Sequence, residues 1–366
     1  MKCIFSLCAM FRCKRYNLLP ILANGWSLIF ALFGLAVVKT GISEFPAWDI
    51  YTRFLSTYPD GSKLLPLQQY LLHSPVTALI AALFNCTGRY GYFLVCFGLV
   101  CSALLILPML LISQKTPKER IIVISAFYLT PIPSLLLNWV GSPDVIIVAA
   151  TLCLVLSQSL VLTFLAAVVL AFQHSQVGML IALYILTLDM LTNRHVKNRA
   201  YRWGLIVMGV ACGLVAIKLA HVEWGVVYGR EEWFKHYGPL FFVKSFLRNP
   251  YAVIYSGLGC AWVVMVIIFR ETAFTTKAAL LTFTAMSIGV SALVYDHTRI
   301  LGLLLLPILL HLSLTNADRI YDIAMRYRGI AAGMMLVPTL IIWEGRAYVG
   351  SWATIYGLVM KLIQSL

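Results

Sequence analysis

The chain has 366 residues, 61% of them hydrophobic and 11% charged, with a mean hydropathy of +0.88. Soluble domains carry about 25% charged residues, so this composition excludes a water-soluble core, and in lipid only helices or closed barrels satisfy every backbone polar group. The formal net charge of +14 does not point to nucleic acid, because the basic residues sit in short clusters between apolar runs, as the positive-inside rule predicts.

Barrel strands alternate apolar and polar residues at period two. Residues 103–112 and 300–310 are continuously apolar instead. The expected fold class is therefore all-α, a polytopic transmembrane helical bundle forming a single domain over residues 1–366.

At the start, Lys2, Arg12, Lys14 and Arg15 accompany Cys3, Cys8 and Cys13 in what reads as a cytosolic tail. The apolar run that follows lacks a small-residue cleavage site and reads as a retained anchor. A crossing needs about 20 apolar residues. Spans are predicted at 17–38, 90–112, 121–139, 145–157, 160–172, 176–190, 203–220, 250–269, 278–294, 300–315 and 329–343, with a twelfth at 350–365. About 11–12 spans result, and those between 145 and 190 are short. Residues 40–89 form the first external loop. Its apolar piece Leu64–Phe84 is interrupted by Gln68, Gln69, His73 and Pro75, which predicts interfacial helices and not a crossing. Residues 221–249 form the second large external loop.

With the N-terminus in the cytoplasm and the spans alternating, 16 of the 28 basic residues fall on short cytoplasmic segments, namely around 2–15, 115–120, 194–202, 270–277 and 319–328. Nine of the 14 acidic residues fall outside: Glu44, Asp49, Asp60, Asp144, Glu223, Glu231, Glu232, Asp296 and Glu344. The expected location is an inner, or plasma, bacterial membrane with multiple passes.

Four external constellations carry possible chemistry. Glu44-Phe-Pro-Ala-Trp-Asp49-Ile-Tyr-Thr-Arg53 puts two carboxylates, aromatics and one Arg just beyond the first span. Gly141-Ser-Pro-Asp144 opens a span, and Asp144 is placed to cap its N-terminus. Gln173-His174-Ser-Gln176 is a polar tetrad between two apolar runs, where burial of such groups is costly and marks function. Tyr295-Asp296-His297-Thr298-Arg299 combines a carboxylate and an imidazole able to take a proton with a guanidinium suited to bidentate phosphate binding. Each has a plainer reading as a belt, cap or hairpin. No Walker A loop, GxGxxG, HExxH or GxSxG occurs, and the nine Cys show no metal-ligand spacing. The sequence demands no cofactor and leaves a divalent cation, Mg or Mn, open.

This order of parts resembles the membrane glycosyltransferases of the C-type fold, which use polyprenyl-phosphate-linked sugars. Glu44-Phe-Pro-Ala-Trp-Asp49 matches in position the acidic motif that those enzymes carry after their first span, and Gly141-Ser-Pro-Asp144 is similar to their Gly-x-x-Asp turn. The adjacent Asp-x-Asp or Glu-x-Asp pair of some members is absent. The resemblance covers roughly the first 200 residues. It implies Asp49, Glu44 or Asp144 as the catalytic carboxylates. Arg299, His297, Asp296, His174 and Arg53 would then bind a polyprenyl-phosphate-sugar donor and a glycan or lipid-linked acceptor among membrane lipids. The competing expectations are a polysaccharide or O-antigen polymerase and a lipid-linked sugar transporter or flippase.

Overall fold

Apolar runs separated by short polar turns become helices in the computed structural model of this protein, which describes residues 25–45, 48–57, 60–192, 199–294, 296–343 and 346–349. The first half comprises α1 (Gly25–Thr40), α2 (Trp48–Thr57), α3 (Val76–Leu83), α4 (Arg89–Ile112), α5 (Pro117–Leu129), α6 (Ile132–Asn138), α7 (Asp144–Leu156), α8 (Leu160–Gln173) and α9 (Ser175–Leu191). The second comprises α10 (Arg199–Glu223), α11 (Arg230–Tyr237), α12 (Pro239–Arg248), α13 (Pro250–Leu258), α14 (Ala261–Glu271), α15 (Phe274–Ala292), α16 (His297–Thr315), α17 (Ala317–Arg326) and α18 (Arg328–Leu336). A two-stranded antiparallel hairpin follows, β1 (Leu340–Trp343) and β2 (Arg346–Val349), pairing Ile341 with Tyr348.

The described chain is thus an all-α helical bundle with one short hairpin. Among the described residues, three helices, α4, α10 and α16, are long and apolar enough to cross a bilayer, or five segments if the bent pairs α5–α6 and α13–α14 each count as one. Two breaks have local causes. Pro131 lacks an N–H and restricts Thr130, and the chain bends 54° there. Gly259 adopts φ 56°, a left-handed conformation that other residues adopt at a cost, and the chain bends 80°. The bends face each other, since a Cβ on Gly259 would lie 3.1 Å from the Leu129 carbonyl oxygen.

Close packing of α8 on α10 depends on two glycines one turn apart. A Cβ on Gly209 would meet the Phe164 carbonyl oxygen at 2.8 Å, and one on Gly213 would meet that of Val168 at 2.4 Å. Small residues let helix backbones approach where lipid supplies no hydrophobic drive. Gly213→Val is expected to force the pair apart and lower the melting temperature of the purified protein by several degrees. An unchanged melting curve would refute the contact.

Internal contacts sort the turns into two ends, and the sorting agrees with the charge distribution. At one end, the loop after α1 bonds to the turn before α7, through Phe45 N–H on Val140 O at 2.8 Å and Val140 N–H on Ser43 O at 2.9 Å. There too Gly61 N–H donates to Trp224 O at 2.8 Å, and the Gln69 side-chain oxygen accepts from Val227 and Tyr228 at 3.0 Å each. The loops 40–89 and 221–249 therefore meet. At the other end Lys118 pairs with Asp318 and Asp322 at 3.5 and 3.3 Å, and Arg319 pairs with Glu271 at 2.6 Å. Between Leu64 and Phe84 the chain forms a 3-10 turn over Pro66–His73 and the eight-residue α3, neither long enough to cross.

One expected span is corrected. Residues 329–343 are not one helix: α18 has nine residues and ends at Leu336, because Pro338 cannot continue it and the β-branched Thr339, Ile341 and Ile342 favour extended chain. Nine residues of helix rise only about 14 Å. The extended segment completes the return along α16, and Ile342 N–H donates to the Thr298 hydroxyl at 2.7 Å. Of the other ten expected spans, nine coincide with a helix or a bent pair and the described part of 17–38 falls in α1, its residues 17–24 lying outside the described residues; α1, α7, α8 and α9 have only 13–17 residues. Cys3, Cys8, Cys13, Arg194, Lys197, Tyr295, Glu344 and the run 350–365 lie outside the described residues.

Candidate functional site

Asp144 and Arg299 are 155 positions apart in the chain and meet at the first turns of α7 and α16. Arg299 Nε lies 3.5 Å from Asp144 Oδ2, and its Nη1 lies 3.1 Å from Asp296 Oδ2. The Asp144 side chain is 1% exposed and that of Arg299 is 15%. Arg299 thus lies between two carboxylates, and the more accessible members of the trio are Asp296 and Arg299.

Asp144 does not cap α7 as the sequence suggested. Its carboxylate accepts from the Ser142 hydroxyl at 2.6 Å and reaches sideways to Arg299. Gly141, at φ 101°, turns the chain where only glycine is unstrained. The turn is held from two sides. Tyr92 donates its hydroxyl hydrogen to Gly141 O at 3.0 Å, and the buried Gln173 amide donates to Pro143 O at 2.9 Å. Gln173 also accepts from Val76 N–H at 2.8 Å, which ties the first loop to the same turn.

The remaining predicted residues divide. Glu44 forms an isolated parallel bridge with Val140 and pairs with Arg89 at 2.7 Å, so it sits beside the Gly141–Asp144 turn without joining the Arg299 trio. Asp49 lies on α2, partly exposed, and pairs with its helix neighbour Arg53 at 3.5 Å. Its link to the turn is indirect: Tyr51 stacks on Tyr92 at a centroid distance of 6.0 Å. His174 caps α9, its Nδ1 accepting from Val177 N–H at 3.4 Å. His297 is fully buried. Its Nδ1 lies 2.8 Å from Ser291 O and its Nε2 3.2 Å from the Ser245 hydroxyl. A carbonyl only accepts, so Nδ1 carries the proton and Nε2 takes the hydroxyl hydrogen. Both histidines therefore hold backbone and loops, and neither stands open to a substrate.

Sequence reasoning missed a second charged cluster at the opposite end. Asp189 on α9, Arg202 on α10 and His311 on α16 are all buried. Arg202 Nε and His311 Nδ1 each lie 3.5 Å from an oxygen of Asp189, and Thr192 contacts His311 Nε2 at 2.8 Å. Arg202 also donates to Ser157 O at 2.8 Å and to Leu154 O, and so closes the C-terminal carbonyls of α7. The available signal was charge inside apolar runs, at Asp189 and His311.

Among the described residues, no group of three or more His, Cys, Asp or Glu side chains is arranged to hold a metal ion. Compared with known families, with curated proteins and with solved structures, the chain matches none of them.

Proposed function

We propose that this protein is an integral membrane glycosyltransferase that moves a sugar from a polyprenyl-phosphate donor to a glycan or lipid-linked acceptor, with the Asp144–Arg299 end facing away from the cytoplasm. The observation that carries the reading is the convergence of Asp144, Asp296 and Arg299 above an apolar bundle, beside Glu44 and the loop that leads into α2 with Asp49.

In this reading Arg299, held by Asp144, stabilises the phosphate as the bond between the anomeric carbon and the phosphate oxygen breaks. Asp49, the more accessible carboxylate, accepts the proton of the acceptor hydroxyl as that oxygen bonds to the anomeric carbon from the opposite face. The sugar is transferred with inversion and the lipid phosphate leaves as the anion. Asp144 and Gln173 act as positioning residues.

The test is an in vitro assay with the purified full-length protein, a short-chain polyprenyl-phosphate sugar and an extract of cell-surface acceptors. Donor-dependent release of polyprenyl phosphate with glycosylated product supports the proposal. Intact donor across all acceptors and pH values would overturn it. One observation favours transport instead: the facing bends at Pro131 and Gly259 border a small recess that Lys39 and Tyr255 also line, and broken helices line binding sites in transporters. Movement of labelled donor across proteoliposomes without chemistry would select that reading.

A further inference from the structure

We propose that helix α12 is a docking surface for anionic phospholipid, lying in the bilayer interface at the site end of the bundle. This inference needs only the membrane reading and is independent of glycosyl transfer.

The helix has two faces. Phe242, Ser245 and Phe246 are buried, and Ser245 contacts His297 at the mouth of α16, two residues before Arg299. That contact fixes α12 at the level where α16 begins. Phe242 also stacks on Phe234 of α11 at 5.4 Å, and the two short helices form a unit.

The opposite face is uncovered. Leu240 is 72% exposed and Leu247 62%, and Tyr251, one turn beyond on α13, is 87% exposed. Lys244 and Arg248 stand exposed among them. In water this apolar surface would be costly, while a face of purely apolar residues would suit the hydrocarbon interior. Apolar side chains interleaved with cations suit the boundary, where the former enter the acyl region and the latter meet phosphates.

Charge selects the partner. No Asp or Glu occurs between Glu232 and Glu271, and among the described residues no carboxylate pairs with Lys244 or Arg248. Both cations lie at the end that the charge distribution otherwise leaves poor in basic residues. Cations interleaved with exposed apolar side chains on one helix face match an anionic interface, where apolar burial and electrostatic attraction act together.

The test is native mass spectrometry of the full-length protein released from mixed phosphatidylglycerol and phosphatidylcholine micelles, with wild type compared to the Lys244→Gln/Arg248→Gln variant. Wild type is expected to retain phosphatidylglycerol preferentially. The variant should retain it about 30-fold more weakly, at roughly fivefold per basic residue near an anionic surface, with an unchanged melting curve. Lys63→Gln, in another loop of the same end, should behave as wild type. Equal retention by wild type and double variant would overturn the proposal. So would displacement of the lipid by millimolar inorganic phosphate, which indicates a small-anion site. A dimer mass lost on Leu240→Ser/Leu247→Ser would assign the face to a second copy and overturn it too.

Discussion

Asp49→Asn is expected to lower the rate of sugar transfer by about 10²–10⁴-fold, the usual contribution of a general base. The substitution keeps the size of the side chain and removes its charge, and among the described residues that carboxylate pairs with the exposed Arg53. Expression and melting temperature should stay at wild-type values. Asp144→Asn tests the other carboxylate role. Asp144 is buried against Arg299 and Ser142, so its loss should release Arg299 and raise the donor KM as well as lowering kcat. Arg299→Lys keeps the charge but loses the planar fork and should reproduce the KM effect. If Asp49→Asn turns over normally, Asp296 becomes the base candidate, as the accessible carboxylate of the Arg299 trio.

Arg202→Met is expected to destabilise the protein by about 3–5 kcal/mol, because it leaves the carboxylate of Asp189 buried without the guanidinium beside it. The same substitution removes the donor from Ser157 O and Leu154 O at the end of α7. Adding Asp189→Leu removes the stranded charge, and the double variant should recover most of the loss, since apolar residues of similar volume often replace a buried ion pair without penalty. Thermal unfolding in detergent measures both. Equal melting temperatures for the Arg202→Met single variant and wild type would show that water or His311 already satisfies Asp189. The site end lies a full helix length away, so activity at low temperature should survive in both variants.

The two-ended arrangement was legible because two independent signals agree. The lengths of the apolar runs set the number of turns, and the basic clusters divided them into two groups, which the contacts of Lys118, Arg319 and Phe45 then reproduce. The run 329–343 misled because hydropathy does not separate a lipid-facing helix from an apolar strand, and Pro338 was the residue that did. At the site, residue type identified Asp144, Asp296 and Arg299 but not their meeting, which depends on α7 and α16 starting at the same level. His174 and His297 looked chemical because a sequence does not reveal that the backbone next to a histidine already engages its ring nitrogens. Asp189, Arg202 and His311 went unread because they come together only when α9, α10 and α16 pack.

Nearly every residue of α16 is buried, whereas α10 is mostly uncovered. In the proposed membrane setting, a bilayer that thickens or thins would act first on outer helices such as α10 and have little contact with the central one. The spacing between Asp144 and Arg299 is set by α7 against α16, both of them buried. Lipid chain length should thus change how readily a long-tailed molecule reaches this end of the bundle while leaving the two charges at the same separation.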